Sequence, residues 1–74
     1  MKKLITYRDD KLHVTAQLIK KNNKIVAFKF WRDYQSKDTC GGPLVVEENK
    51  LLSAGGVIPS YVLEALKSEG IQTP

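Results

Sequence analysis

Two runs of alternating side chains, separated by a pair of asparagines, constrain the fold of this chain more than any other feature. The runs cover residues 11–20 and 25–33, and in each of them one set of alternate positions is apolar. Alternation with a period of two predicts strands that have one buried face and one exposed face. Asn22 and Asn23 tolerate a left-handed backbone, so we expect the two strands to form a hairpin.

The length of the hairpin loop follows from the need to place both apolar faces on the same side of the sheet. A two-residue loop of Asn22 and Asn23 would set Leu18 opposite Ala27 and would therefore mix core with surface. We predict a three-residue loop over residues 21–23, with Asn23 in the left-handed position of a bulged turn. The predicted pairs are Leu18 with Val26, Ala16 with Phe28 and Val14 with Phe30.

Residues 3–8 predict a first strand, joined to the hairpin by a two-residue turn at Asp9 and Asp10. This turn would place Tyr7 opposite Leu12 and Ile5 opposite Val14, on the core face. A three-stranded meander is therefore expected.

A polar stretch over residues 34–42 ends in two glycines and predicts a loop that acts as a connector or carries contacts. Residues 44–46 predict a short strand that begins after Pro43. Residues 50–53 form either its hairpin partner, through a turn at Glu48 and Asn49, or a helical turn over 50–54. We favour the hairpin.

The last part of the chain predicts one helix over residues 58–69, with Pro59 at its first position and Ser60 as an alternative cap. Gly70 predicts a left-handed ending, with Ile71 folded back onto Leu66. One helix face is apolar, and we expect it to cover Leu12, Val14, Leu18, Phe28 and Phe30 of the sheet.

These elements predict a single α+β domain over residues 1–74. Its sheet would lie within residues 3–53 as an antiparallel meander of three main strands and one or two short ones, with the C-terminal helix packed on one face. The core of a 74-residue domain seldom supplies more than about 3–5 kcal/mol of net stability. The single cysteine rules out an internal disulfide, so self-association or a partner is worth considering.

The composition favours a cytoplasmic protein with a reduced thiol. No apolar run reaches the ~20 residues that span a bilayer, and the basic start of the chain has no apolar segment behind it. The net charge of +4 is uneven: residues 1–37 carry +7 and residues 38–74 carry −3. A basic sheet half suits an acidic or polyanionic partner, although lysines on strands also prevent aggregation between sheet edges.

No constellation of residues predicts catalysis. His13 and Cys40 are the only pair that resembles a base and a nucleophile, and a solvated histidine with an ordinary thiol is the simpler interpretation. The glycine pairs lack the spacing of a phosphate loop, and Glu47 and Glu48 point to opposite faces. We therefore predict no enzyme, no catalytic or metal-binding residue, no cofactor, no small-molecule substrate and no contact with a membrane.

The outer sheet face, opposite the helix, is the predicted binding surface. Tryptophan is a frequent anchor of protein interfaces, and Arg32 beside Trp31 strengthens the prediction that Trp31 binds a partner. The alternative is that Trp31 packs under the loop over residues 34–42. The predicted binding residues are His13, Ile19, Lys20, Lys21, Lys24, Lys29, Trp31 and Arg32.

Two functional hypotheses follow. In the first, the protein is a small non-enzymatic binding module, such as an inhibitor, adaptor or regulator encoded by a phage or another mobile element. It would dock another protein, or form a homodimer, through the outer face or a sheet edge. In the second, the basic sheet half binds nucleic acid by charge and aromatic stacking. The modest total charge favours the first.

Overall fold

Five antiparallel strands form one sheet in chain order, and a single helix follows them. The computed structural model describes residues 2–34 and 40–73. The elements are β1 (Lys2–Asp9), β2 (Val14–Lys21), β3 (Lys24–Arg32), β4 (Cys40–Glu47), β5 (Lys50–Ala54) and α1 (Ser60–Ser68). The predicted α+β meander with a C-terminal helix is confirmed.

The β2–β3 hairpin closes through a two-residue turn, so the predicted three-residue loop is wrong. Asn22 and Asn23 have φ of 53° and 65°, as the tight turn of a two-residue hairpin requires. A bulge then restores the match between the apolar faces: Lys20 pairs with Ile25, whereas Ile19 pairs with Ala27. The observed core pairs are Leu18 with Phe28 and Ala16 with Phe30, not those predicted.

The bulge also exchanges the roles of two neighbouring side chains. Ile25, predicted on the outer face, is buried in the core. Val26, predicted in the core, is the extra residue of the bulge and is half-buried. The rest of β3 keeps its predicted sides, because a bulge shifts the alternation only on one side of itself.

The first turn is longer than predicted. Asp9 pairs with Val14, so residues 10–13 form a four-residue loop in place of the Asp9–Asp10 turn. The Asp9 carboxylate accepts hydrogen bonds from the backbone N–H groups of Lys11 and Leu12, at 3.0 and 3.1 Å. Leu12, predicted in the core, is 56% exposed.

The second hairpin confirms the predicted turn and corrects the predicted loop before it. Glu47 pairs with Lys50, and Glu48 and Asn49 form the two-residue turn, so the alternative helical turn over 50–54 is wrong. The predicted connector over residues 34–42 is already strand from Cys40, where β4 pairs with β3. Residues 35–39 of that prediction lie outside the described residues.

Helix α1 begins after Pro59 and is followed by a left-handed glycine, Gly70. Pro59 lies in extended backbone and is the N-cap, so its predicted place as the first helical residue is wrong, as is the role of Ser60 as an alternative cap. The predicted ending is confirmed. Gly70 has φ of 81°, and the Ile71 N–H donates to the Leu66 carbonyl at 3.0 Å.

The core lies between α1 and one face of the sheet. Leu18, Leu66 and Val62 are its largest fully buried side chains. The Phe30 ring meets the Tyr61 ring edge-on, with centroids 5.9 Å apart, which places α1 on the Phe30 side of β3. The Gln72 N–H donates to the Asn49 carbonyl in the β4–β5 turn at 2.7 Å, and the Gln72 carbonyl accepts from the Leu51 N–H of β5 at 2.9 Å. This segment therefore covers part of the free edge of β5.

Candidate binding face

The sheet face turned away from α1 is left without a covering layer among the described residues. We call it the outer face, and its side chains follow from the strand register. It includes Lys2, Leu4, Thr6 and Arg8 on β1, Thr15, Gln17, Ile19 and Lys21 on β2, Lys24, Ala27, Lys29 and Trp31 on β3, and Gly41 and Pro43 on β4.

An apolar row crosses this face at right angles to the strands. Leu4 lies opposite Ile19, Ile19 opposite Ala27, and Ala27 opposite Pro43. Directly opposite residues share a face and lie close enough for their side chains to touch. Leu4 is 52% exposed and Ile19 only 9%, so the row is most accessible at the β1 edge and is recessed near its centre.

Two glycines deepen the centre of the row into a notch. The notch has a volume of about 260 Å³ and is lined by Ile19, Ala27, Lys29, Gly41 and Gly42, together with Phe28. Gly41 lies opposite Lys29, and a Cβ atom at Gly41 would collide with the Phe28 carbonyl oxygen, so glycine lets β4 approach β3 here. A concave apolar site with one cation at its margin can receive an apolar side chain that is followed by an acidic group.

One end of the sheet is dense in lysine. The register pairs Lys2 with Lys21, Lys3 with Lys20, and Lys21 with Lys24 across three strands. We call these five residues the lysine end. Among the described residues, no carboxylate lies within ion-pair distance of any of their ammonium groups.

The opposite end of the face holds a neutralised cation. The Arg8 guanidinium donates to Asp33 Oδ1 at 2.8 Å and to Asp10 Oδ1 at 2.9 Å, and it also bonds Asp33 Oδ2 and Thr15 Oγ1. His13 Nδ1 lies 3.9 Å from Asp33 Oδ2. The hydrogen bonds from Arg8 lower the pKa of Asp33, and the same contacts raise the pKa of Arg8.

The lowered pKa of Asp33 predicts a pH effect on stability. A carboxylate whose pKa is lower in the folded state contributes stability above its unfolded-state pKa of about 3.9, and loses it as the pH falls through the folded value. We expect Asp33→Asn to remove this contribution, so that the variant's free energy of unfolding declines less than that of the wild type between about pH 5 and pH 2.

Urea unfolding at a series of pH values measures this difference. Glu47→Gln is the matched control, because it removes an exposed carboxylate outside the Arg8 cluster. Identical pH profiles for Asp33→Asn and the wild type would contradict the linkage.

The structure divides the predicted binding residues between the two sides of the sheet. Five of the eight lie on the outer face: Ile19, Lys21, Lys24, Lys29 and Trp31. Lys20 and Arg32 alternate with them and point to the α1 side; Arg32 bonds the Tyr34 hydroxyl at 2.7 Å. His13 was predicted on the outer face of a strand, but it lies in the turn before β2 with φ of 53°.

Trp31 and the lysine end lie at opposite ends of β3. At ~3.3 Å per residue, Lys24 and Trp31 are roughly 20 Å apart. Trp31 is half-buried and lies opposite Thr15. The alternative in which Trp31 packs under the loop falls mainly on residues 35–39, outside the described residues. The sequence predicts one patch that combines Trp31 with the lysines, whereas the structure places Trp31 and the lysine end at opposite ends of the sheet.

Sequence reasoning missed Lys2, Lys3, Leu4 and Pro43. The predicted Asp9–Asp10 turn would have set Lys2 opposite Gln17, four positions from its observed partner Lys21. The signal that could have found them is Asp9 itself, since an aspartate that caps the next N–H groups favours a longer turn.

His13 and Cys40, the pair that resembles a base and a nucleophile in the sequence, lie in different elements of the fold. Cys40 is exposed at the start of β4, opposite Phe30, and His13 lies in the first turn beside Asp33. Within residues 2–34 and 40–73, no group of three histidine, cysteine or acidic residues could hold a metal ion.

Comparison with known proteins yielded no match to a family model, a curated protein or a solved structure. In the described parts of the chain, no helix combines the length and apolar character needed to cross a membrane.

Proposed function

We propose that this protein is a small non-enzymatic binding module that docks an acidic protein surface on its outer face and acts in the cytoplasm as an inhibitor, adaptor or regulator. The observation that carries the proposal is the apolar row of Leu4, Ile19, Ala27 and Pro43, with its central notch. A contiguous apolar strip rimmed by polar side chains is typical of a protein interface.

The charges around the row support an acidic partner. Lys21 and Lys24 lie on one side of it and Lys29 on the other, and none of the three has an ion-pair partner among the described residues. A partner with an apolar side chain for the notch and carboxylates around it would bury the row and match these charges. A phage or other mobile-element origin remains part of the proposal.

The same charges disfavour a second copy of this chain as the occupant. A symmetric dimer that buries the outer face brings each lysine towards the basic face of the partner copy. Like charges placed together at an interface cost several kcal/mol. A homodimer through this face is therefore the alternative that the experiment must detect.

Two leucines on the outermost strands of the sheet provide a matched test. Leu4 and Leu52 are 52% and 59% exposed, but only Leu4 belongs to the apolar row, since Leu52 is the extra residue of a bulge in β5. We expect Leu4→Glu to weaken partner capture at least tenfold, as expected for a hot-spot loss of about 2 kcal/mol, and Leu52→Glu to leave it unchanged.

Capture from nuclease-treated lysate, followed by mass spectrometry, gives the readout. Support requires an acidic protein that the wild type and Leu52→Glu retain and that Leu4→Glu loses. Equal retention by both variants would contradict the proposal. Sedimentation of the purified chain is the second measurement: a dimer that dissociates in Leu4→Glu would assign the face to a second copy and overturn the acidic partner.

A further inference from the structure

The lysine end carries an electrostatic cost that no ion pair among the described residues offsets. Three like-charged pairs lie directly opposite one another on β1, β2 and β3, an arrangement that destabilises a sheet. At the other end of the same sheet, Arg8 is held by two carboxylates. The contrast indicates that these lysines meet a need other than the stability of the fold.

Protection of the sheet edge explains only part of the cluster. Lysine on an outermost strand discourages pairing with other chains, and this accounts for Lys2 and Lys3 on β1. Lys20, Lys21 and Lys24 lie on β2 and β3, which have strands on both sides. Their charges cannot protect an edge, so a ligand that neutralises them is the better explanation.

The lysine end contains a concave site. Lys2, Lys3, Lys20 and Asn23 line a cleft with a volume of about 250 Å³. A neighbouring cavity of about 150 Å³ holds Lys20 and Lys24 together with Glu48 and Glu69. These carboxylates reduce the positive field at Lys20 and Lys24. The strongest attraction for an anion therefore lies towards β1, at Lys2 and Lys21 on the outer face and at Lys3 on the strand edge.

We propose that the lysine end binds a phosphate polyanion, the backbone of a nucleic acid, by charge alone. A phosphodiester chain presents closely spaced charges, and lysine is a common phosphate ligand. A chain that crosses the end of the sheet can meet Lys2, Lys21 and Lys24 on the outer face and Lys3 and Lys20 on the α1 side. Trp31 lies at the other end of β3 and contributes no stacking. Binding is therefore independent of base sequence and steeply dependent on salt.

The test uses a fluorescein-labelled oligothymidine of about 15 nucleotides and fluorescence anisotropy over a range of salt concentrations. The triple variant Lys2→Gln, Lys3→Gln, Lys21→Gln is compared with Lys11→Gln, Lys50→Gln, Lys67→Gln, which loses the same charge elsewhere. We expect the first to weaken binding at least tenfold and to reduce the slope of log K against log [salt] by about 2, and the second to retain most of both.

Thermal unfolding of the same variants separates lost binding from lost structure. Removing the like-charged pairs should raise the melting temperature of the first triple variant while its affinity falls. Equal weakening by both triple variants, or the absence of binding by the wild type at low salt, would overturn the proposal.

Competition identifies the source of the phosphate. Inorganic polyphosphate and unlabelled oligothymidine each displace the probe if phosphate is the ligand, and the stronger competitor names the source. Equally strong competition by polyglutamate would show that carboxylates suffice. It would overturn the phosphate proposal and extend the acidic-protein site of the outer face, which already includes Lys21 and Lys24, to the whole lysine end.

Discussion

Leu18→Ala is expected to leave the chain with little or no net stability. Leu18 is fully buried at the centre of the core, between β1 and β3. Truncating a buried leucine costs about 2–5 kcal/mol, through lost burial and the cavity left behind. A domain of this size holds only about 3–5 kcal/mol in total, so the substitution removes most of it. Urea unfolding followed by circular dichroism measures the loss.

Leu4→Ala is the matched control for this prediction, since it makes the same change on the neighbouring strand at a half-exposed position of the outer face. We expect it to cost less than about 1 kcal/mol. A similar loss for both variants would mean that the core does not lie on the α1 side of the sheet alone.

The sides of the strands could be predicted because alternation is a local property. Val14, Leu18 and Phe28 face the core as the pattern indicates, and the buried side of α1 follows from its helical spacing. The register could not be predicted in the same way. A change of the first turn from two to four residues moves every β1 partner by four positions and keeps each side chain on its face.

The bulge at Val26 shows why the hairpin loop was predicted wrongly. A three-residue loop and a two-residue loop with a bulge both bring the apolar faces together, so face matching cannot choose between them. The two asparagines decide the matter, because both adopt positive φ and complete the tight turn without Lys21. The turn propensity of the two asparagines therefore predicts the loop length better than the matching of apolar faces does.

The candidate face was only partly predictable for the same reason. Ile19, Lys29 and Trp31 were placed on the correct side, but which residues share an end of the sheet depends on register and on β4. Lys2 and Lys3 join the lysine end only through the four-residue first turn. Gly41 and Gly42 belong to the stretch that the sequence predicts to be a loop. The glycine notch exists because these two residues instead pair with β3 as part of β4.

Gly41→Ala is expected to disrupt the pairing of β3 with β4. A Cβ atom at Gly41 would lie 2.1 Å from the Phe28 carbonyl oxygen and 3.0 Å from the Lys29 Cα atom. Both are backbone atoms, which cannot rotate away, so the two strands must separate. We expect a cost at or above the upper end of the ~1–3 kcal/mol typical of overpacking.

The separation of β3 from β4 would also deform the notch beside Lys29, so partner capture should fall together with stability. Cys40→Ala is the control, because it changes the adjacent exposed residue of β4 and adds no atom. Urea unfolding of both variants measures the difference in free energy. A Gly41→Ala protein as stable as Cys40→Ala would show that β4 can move away from β3 at little cost. The notch would then be a flexible surface, and the proposed anchor of the partner would lose its rigid floor.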